Sequence, residues 1–259
     1  MREFFGFGGY QRSAEGFMSW QHLLFVGSLM AVMIGLAIFL GIKNKQNSQK
    51  LKNRVLIWSA IVIDGFEIMK LITSVIKNNG DFSILLIDLP LFLCSIQLIT
   101  IPLAAFCKGR IREASLDFVM IFGILGGVLG TVGAAQNYGC YPVLSWDNVV
   151  SGITHTISGF ASLYITLSGM ASMKKQNLPL TLGILSGFCV AAYVVNRLID
   201  YNYMFLMAGD GTPYDIFYNL FDGHPVLYPL SVVALFFLYI GGFYGIHHMV
   251  SKKKEKAMV

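Results

Sequence analysis

The sequence predicts an all-α membrane protein: one seven-transmembrane-helix bundle, N-terminus outside and C-terminus cytoplasmic. Three observations carry that expectation. Of the 259 residues, 55% are hydrophobic and only 13% charged, where soluble domains carry about 25% charged residues; the mean hydropathy is +0.64. The apolar residues fall in seven runs, 20–42, 55–76, 84–106, 116–135, 149–173, 178–200 and 225–250, each near the roughly 20 residues that cross a bilayer as helix. Charge alternates between the connections. Lys43, Lys45, Lys50, Lys52 and Arg54 follow the first run, Lys108, Arg110 and Arg112 the third, Lys174 and Lys175 the fifth, and Lys252, Lys253, Lys254 and Lys256 the seventh. The other connections hold Asp81, Asp88, Asp147, Asp200, Asp210, Asp215 and Asp222. Positive loops stay cytoplasmic, which sets the expected orientation and makes the number of crossings odd.

Short connections leave no room for a soluble domain, so residues 1–259 read as a single membrane domain. Residues 1–19, with Phe4, Phe5, Phe7, Tyr10 and Phe17, form an aromatic lead-in at the interface. Residues 251–259 form a basic cytoplasmic tail suited to anionic lipid. That lipid setting accounts for the basic stretches without nucleic acid. The first run is too long for a signal-peptide core and is expected to remain as a helix.

His22 opens the first run, where an interfacial histidine touching water and a spare base are both open readings. The second run carries Asp64, Glu67 and Lys70, spaced three apart on about one helical face. Ionisable groups at mid-membrane cost about 2.5–3.5 kcal/mol each on insertion scales and usually face the bundle interior. A Glu67–Lys70 ion pair and a carboxylate that orients a base are the two readings of this face. Glu67 lies about 14 Å from the outer end of its run at 1.5 Å per residue.

The third run contains DLPLFLCSIQLITIP at 88–102. Proline lacks the helical N–H and crowds the carbonyl four residues earlier, so Pro90 and Pro102 are expected to loosen the helix on either side of Cys94. Gln97 follows three residues later, in the same outer slab. In the fourth run Gly126 and Gly130 have G-x-x-x-G spacing, which lets helices approach closely. The fifth carries His155 at the depth of Cys94 and Glu67. A thiol, an imidazole and a carboxylate in one layer suffice for nucleophilic catalysis if they meet. After the sixth run, Asn196, Arg197, Asp200, Asn202 and His224 cluster at the outer surface, where an ordinary loop and a headgroup lid are both open.

The seventh run has no lysine for a retinal Schiff base. The sequence has no P-loop, no G-x-S-x-G and no cysteine spacing for zinc, and adjacent His247 and His248 point to different helix sides. No metal and no cofactor is expected. Of Cys94, Cys107, Cys140 and Cys189, only Cys140 falls in an outer loop, so helix packing rather than disulfides is expected to hold the fold.

Phe17 to His22 (F-x-x-x-x-H), Glu67, LPLFLCS around Cys94, His155 and NYMFL at 202–206 occur in that order. The series resembles the YwaF family of bacterial integral-membrane proteins, itself similar to eukaryotic seven-helix acyltransferases that place polyunsaturated chains on ether phospholipids. The resemblance implies Cys94 as nucleophile and His155 as its partner. The family motif usually has a histidine where this chain has Phe92. The reading that joins these residues is a lipid acyltransferase or transacylase working through a Cys94 thioester. His155 is then the base and Glu67 its orienter, with His22, Gln97, Asn202 and Tyr203 on the substrate side. Its partner is a membrane phospholipid or acyl lipid, and its place a bacterial cell membrane. The other reading is a non-catalytic transporter, channel or lipid-binding protein, in which Asp64, Glu67 and Lys70 line a polar path.

Overall fold

The computed structural model describes residues 1–257, and side chains as far as residue 252. The tail expected over 251–259 therefore lies largely outside the described residues. Ten α-helices occur among the described residues and no strand: α1 (Arg2–Phe5), α2 (Trp20–Asn44), α3 (Gln49–Lys77), α4 (Gln97–Phe106), α5 (Gly109–Val132), α6 (Ala135–Cys140), α7 (Trp146–Leu167), α8 (Leu178–Ile199), α9 (Asp215–Leu220) and α10 (Leu227–Ala257).

Four stretches are long and apolar enough to cross a membrane: Trp20–Asn44, Gly109–Cys140, Lys175–Ile199 and Leu227–Lys252. Their outer faces are greasy. On α2 the buried positions are His22, Val26, Met33, Ala37 and Gly41, while Leu24, Val32, Leu36, Phe39 and Ile42 are exposed. A helix apolar all round has no aqueous side, and an apolar surface this continuous marks a membrane protein. The protein is a multi-pass membrane protein. α3 and α7 are as long but more polar along their inner faces, and they line the site described below.

One expected element is different. The run 84–106 is not a continuous helix. A 3-10 turn (Phe82–Ile87) leads into non-helical residues 88–96, and only Gln97–Phe106, ten residues, is α-helical. Pro90 does more than loosen a helix: with Asp88 and Leu89 it ends one. Pro102, by contrast, sits inside α4 without breaking it.

α3, α4, α5 and α7 close a ring, α2 packs on α7 outside it, and α8 packs on α5 with α10 beside it. Two apolar clusters fill the bundle. Leu56, Ile63, Ile101, Leu116, Val119 and Tyr164 join the ring helices. Phe118, Phe122, Leu185, Tyr228 and Phe236 join α5 to α8 and α10.

At the end of the bundle opposite the N-terminal lead-in, Asp117 of α5 is fully buried. Its Oδ1 accepts from the backbone N–H groups of Ser172 (3.2 Å) and Met173 (3.0 Å). Its Oδ2 accepts from Tyr244 (2.8 Å) and Asn177 (3.4 Å). Four donors on one carboxylate satisfy its acceptor sites without a cation, and tie α5, the 168–177 connection and α10 together.

Candidate active site

A cavity of about 720 Å³ opens within the ring at the lead-in end. It is lined by Cys94, His155, Glu67 and Lys70, with Tyr10, Lys77 and Asp147 towards the mouth. Along α3 the lining goes no deeper than Ile63, along α4 no deeper than Leu98, and along α7 no deeper than Ser158. Beyond them lies the packed core of the ring, so the cavity is a blind pocket.

Cys94 sits in the break, three residues before α4. Ser95 and Ile96 donate their N–H groups to Phe92 O (2.9 and 3.1 Å), and Gln97 N–H to Cys94 O (3.3 Å). These bonds fold residues 92–97 into a tight turn. The thiol contacts Ser95 Oγ, at 4.0 Å from Sγ. The helix that follows has no side-chain cap, so the turn presents Cys94 at the electropositive start of α4.

A break at this depth requires partners for the freed backbone groups, and Tyr203 supplies them. Its hydroxyl donates to Leu86 O (2.6 Å) and accepts from Leu89 N–H (3.1 Å). Asn196 holds Tyr203 in turn, accepting from its N–H (2.7 Å) and donating to its C=O (3.0 Å). Asn202 accepts from Met207 N–H (2.8 Å) and donates to Ala208 O (2.8 Å) and Asp210 (2.6 Å). Met204 and Phe205, both at φ 56°, occupy the left-handed region within this motif, a strained turn that these bonds over-determine. NYMFL is thus a brace. Asn202 and Tyr203 lie outside the cavity lining, which is completed instead by Tyr201.

Glycines of α5 seat Cys94 and His155. A Cβ built on Gly126 would lie 3.4 Å from Cys94 Cβ; one built on Gly130, a turn further along, would overlap the His155 ring at Cε1 and Nδ1. Gly127 meets Gly159 of α7, its Cβ position 2.7 Å from that Cα. The G-x-x-x-G spacing is helix packing, as its pattern indicates, and it also brings Cys94 and His155 to neighbouring turns of one helix. Among the described residues nothing hydrogen-bonds the His155 ring.

Glu67 reaches Lys70 (Oε1 to Nζ, 3.1 Å) and Lys70 reaches Asp88 Oδ1 (2.8 Å). No hydrogen bond joins Glu67 to His155 among the described residues. Asp64 lies one turn away, half-buried and outside the lining.

The other expected substrate-side residues lie elsewhere. His22 is fully buried against Tyr138 (ring centroids 4.2 Å) and Phe17 (5.1 Å), its Nδ1 accepting from Met18 N–H (3.3 Å). Gln97 is fully buried, with Oε1 accepting from Thr100 (3.2 Å) and Nε2 unpartnered. Burial explains both: neither side chain lines the cavity. Phe92 does, packing edge-on against Tyr203 (5.0 Å) and Tyr201 (6.2 Å).

The lead-in covers part of the mouth. Tyr10 hydrogen-bonds Asp147, which also pairs with Lys77 (2.6 Å). Burial, and then the Asp147 carboxylate, push the Tyr10 phenol well above its ordinary value, so it stays a donor at physiological pH. Phe4 and Phe5 pack on Trp146, and Glu15 accepts from Val143 N–H (2.7 Å). Sequence reasoning placed this segment at the interface and missed its contact with the cavity. Aromatic composition alone does not reveal which acid a tyrosine meets.

A family model for TMEM164 proteins matches residues 17–244. The chain belongs to the TMEM164 family. The matched stretch holds Cys94, His155, Glu67, Lys70 and the NYMFL brace, whereas Gly6, Gly9 and Tyr10 at the mouth precede it. No curated protein and no solved structure matches the chain.

Proposed function

We propose that the protein is an integral-membrane lipid acyltransferase or transacylase acting through a Cys94 thioester. The observation that supports this reading is that Cys94, His155 and Glu67, from three separate elements, line one blind cavity. A conduit needs a polar path to both faces; a pocket closed by an apolar core suits a lipid headgroup and its ester bonds better.

In this reading the ring of His155 takes the Cys94 proton, and the thiolate attacks the carbonyl carbon of an acyl ester. The C–S bond forms and the C–O bond breaks, and the imidazolium protonates the departing alkoxide to release a lysolipid. A second lipid hydroxyl then gives its proton to His155 and attacks the thioester. The ester forms, the C–S bond breaks and the thiol is restored. The N–H groups of Leu93 and Cys94 make no backbone hydrogen bond among the described residues and are the oxyanion donors. Glu67 acts through Lys70 rather than as an isolated orienter. Seven crossing segments, with the broken run 82–106 as the third, an outer cavity mouth and a bacterial cell membrane complete the reading.

The test is acyl exchange between labelled phospholipids in proteoliposomes. Wild type is expected to exchange chains, and Cys94→Ala and His155→Ala to fall to background. Exchange by Cys94→Ala at the wild-type rate would rule the mechanism out.

A further inference from the structure

Lys70 links α3 to the break that carries Cys94. It leaves α3 about two turns before the end of the helix, is gripped by Glu67 one turn earlier on α3 (3.1 Å), and crosses to Asp88 at the start of the break (2.8 Å). From Asp88 the chain runs six residues to Cys94. An ammonium inside an apolar bundle is costly and is usually paired. One carboxylate would be enough for neutrality, yet this lysine has two, and all three groups belong to the wall of the cavity or its edge. Two anchors do what one does not: they fix the direction of the Nζ as well as its charge. Lys70 lines the same cavity as Cys94 and His155.

The groups facing Cys94 are few. α3 presents Glu67 and Lys70, with Asp64 a turn deeper; the break presents Asp88; α7 presents His155. The segment after α8 contributes Tyr201, and α5 contributes only the glycine surface. Towards the mouth, Lys77, Asp147 and Tyr10 engage one another, and Cys140 and Tyr141 lie at α6. Lys70 is therefore a cation held by two carboxylates on the wall of the cavity that Cys94 and His155 share.

We propose that Lys70 is the positioning residue of this site, anchored by Glu67 and Asp88 so that its ammonium stabilises the Cys94 thiolate and opposes protonation of His155. The inference deepens the thioester reading and rests on Cys94 being the nucleophile of that reaction. Its test needs no substrate. The full-length protein in lipid nanodiscs is alkylated with iodoacetamide across a pH series, and the rate is read at the Cys94 peptide by mass spectrometry. The expected result for Lys70→Met is a rise of about one unit in the pH of half-maximal rate, or about tenfold slower alkylation on the rising limb. Lys70→Arg is expected to keep the wild-type profile. Asp88→Asn, which cuts one anchor but leaves the ammonium, is expected to raise it by less than Lys70→Met does.

Three outcomes overturn the proposal: a Lys70→Met profile that superimposes on wild type, a Lys70→Arg profile that follows Lys70→Met, or equal upward shifts for Lys70→Met and Asp88→Asn, which would make the lysine a tether only. If Lys70→Met does not fold, Glu67→Gln/Lys70→Met removes the pair together and is expected to show the same upward shift; its absence counts equally against the idea. A shifted profile in a protein that forms no thioester removes the reaction and leaves the electrostatic role standing, whereas a thioester with no shift removes only the role of Lys70.

Discussion

Cys94 and His155 each pack against a residue with no side chain. The Gly126 surface leaves Cys94 Cβ at ordinary contact distance, while the His155 ring occupies the space a Gly130 methyl would fill. The two positions therefore respond differently to the same substitution. Gly130→Ala is expected to displace the imidazole, reduce acyl exchange to near background and cost about 1–3 kcal/mol of stability as overpacking. Gly126→Ala is expected to retain most of both. Exchange rates in proteoliposomes and thermal unfolding in detergent check the pair; equal loss at both positions would show that helix separation, not ring placement, is at stake. Phe92 adds a second residue-scale point. Its ring packs edge-on against Tyr201 and Tyr203, so this position of the cavity wall is apolar.

At the scale of elements, the broken third run is held by NYMFL, far away in sequence. Tyr203→Phe removes the hydroxyl that satisfies Leu86 O and Leu89 N–H. Each lost bond is worth about 0.5–1.5 kcal/mol, more where a buried group is left unpaired. The expected outcome is a lower melting temperature and faster amide exchange over residues 86–95, measured by mass spectrometry. Unchanged exchange there would mean the break is held by other contacts. The sequence pattern located four of its seven apolar runs as helices long and apolar enough to cross a membrane, because hydropathy is local. The pattern sets Cys94, Glu67 and His155 at one depth by residue count, and all three line the cavity. It did not reveal the end of the helix at Asp88. A proline pair says that a helix is weakened, whereas its full interruption depends on Tyr203, more than a hundred residues on, accepting the freed groups. His22 and Gln97 lie in the core and outside the cavity lining, and only the fold tells a core from a cavity.

Across the whole molecule, polar groups divide by end. At the lead-in end they surround a cavity; at the other end Asp117 gathers four donors and leaves no space. Asp117 was unremarked in sequence because a single acid near the start of an apolar run resembles an interfacial residue. Asp117→Asn turns part of an acceptor cluster into a donor facing donors, and is expected to cost about 1–3 kcal/mol while leaving the Cys94 alkylation profile unchanged. A change in that profile would show that the two ends are coupled. The family match over residues 17–244 takes in both ends but not the strap that carries Tyr10, so the site and its far anchor belong to one shared fold. The central claim is covalent, and the most direct measurement is covalent too. The purified protein is incubated with a phospholipid bearing an alkyne-tagged acyl chain, digested, and its cysteine peptides are analysed by mass spectrometry. The expected result is an acyl adduct on the Cys94 peptide that hydroxylamine removes and that is lost in His155→Ala; a tagged chain that transfers between lipids with no adduct on Cys94 at any time point would contradict it.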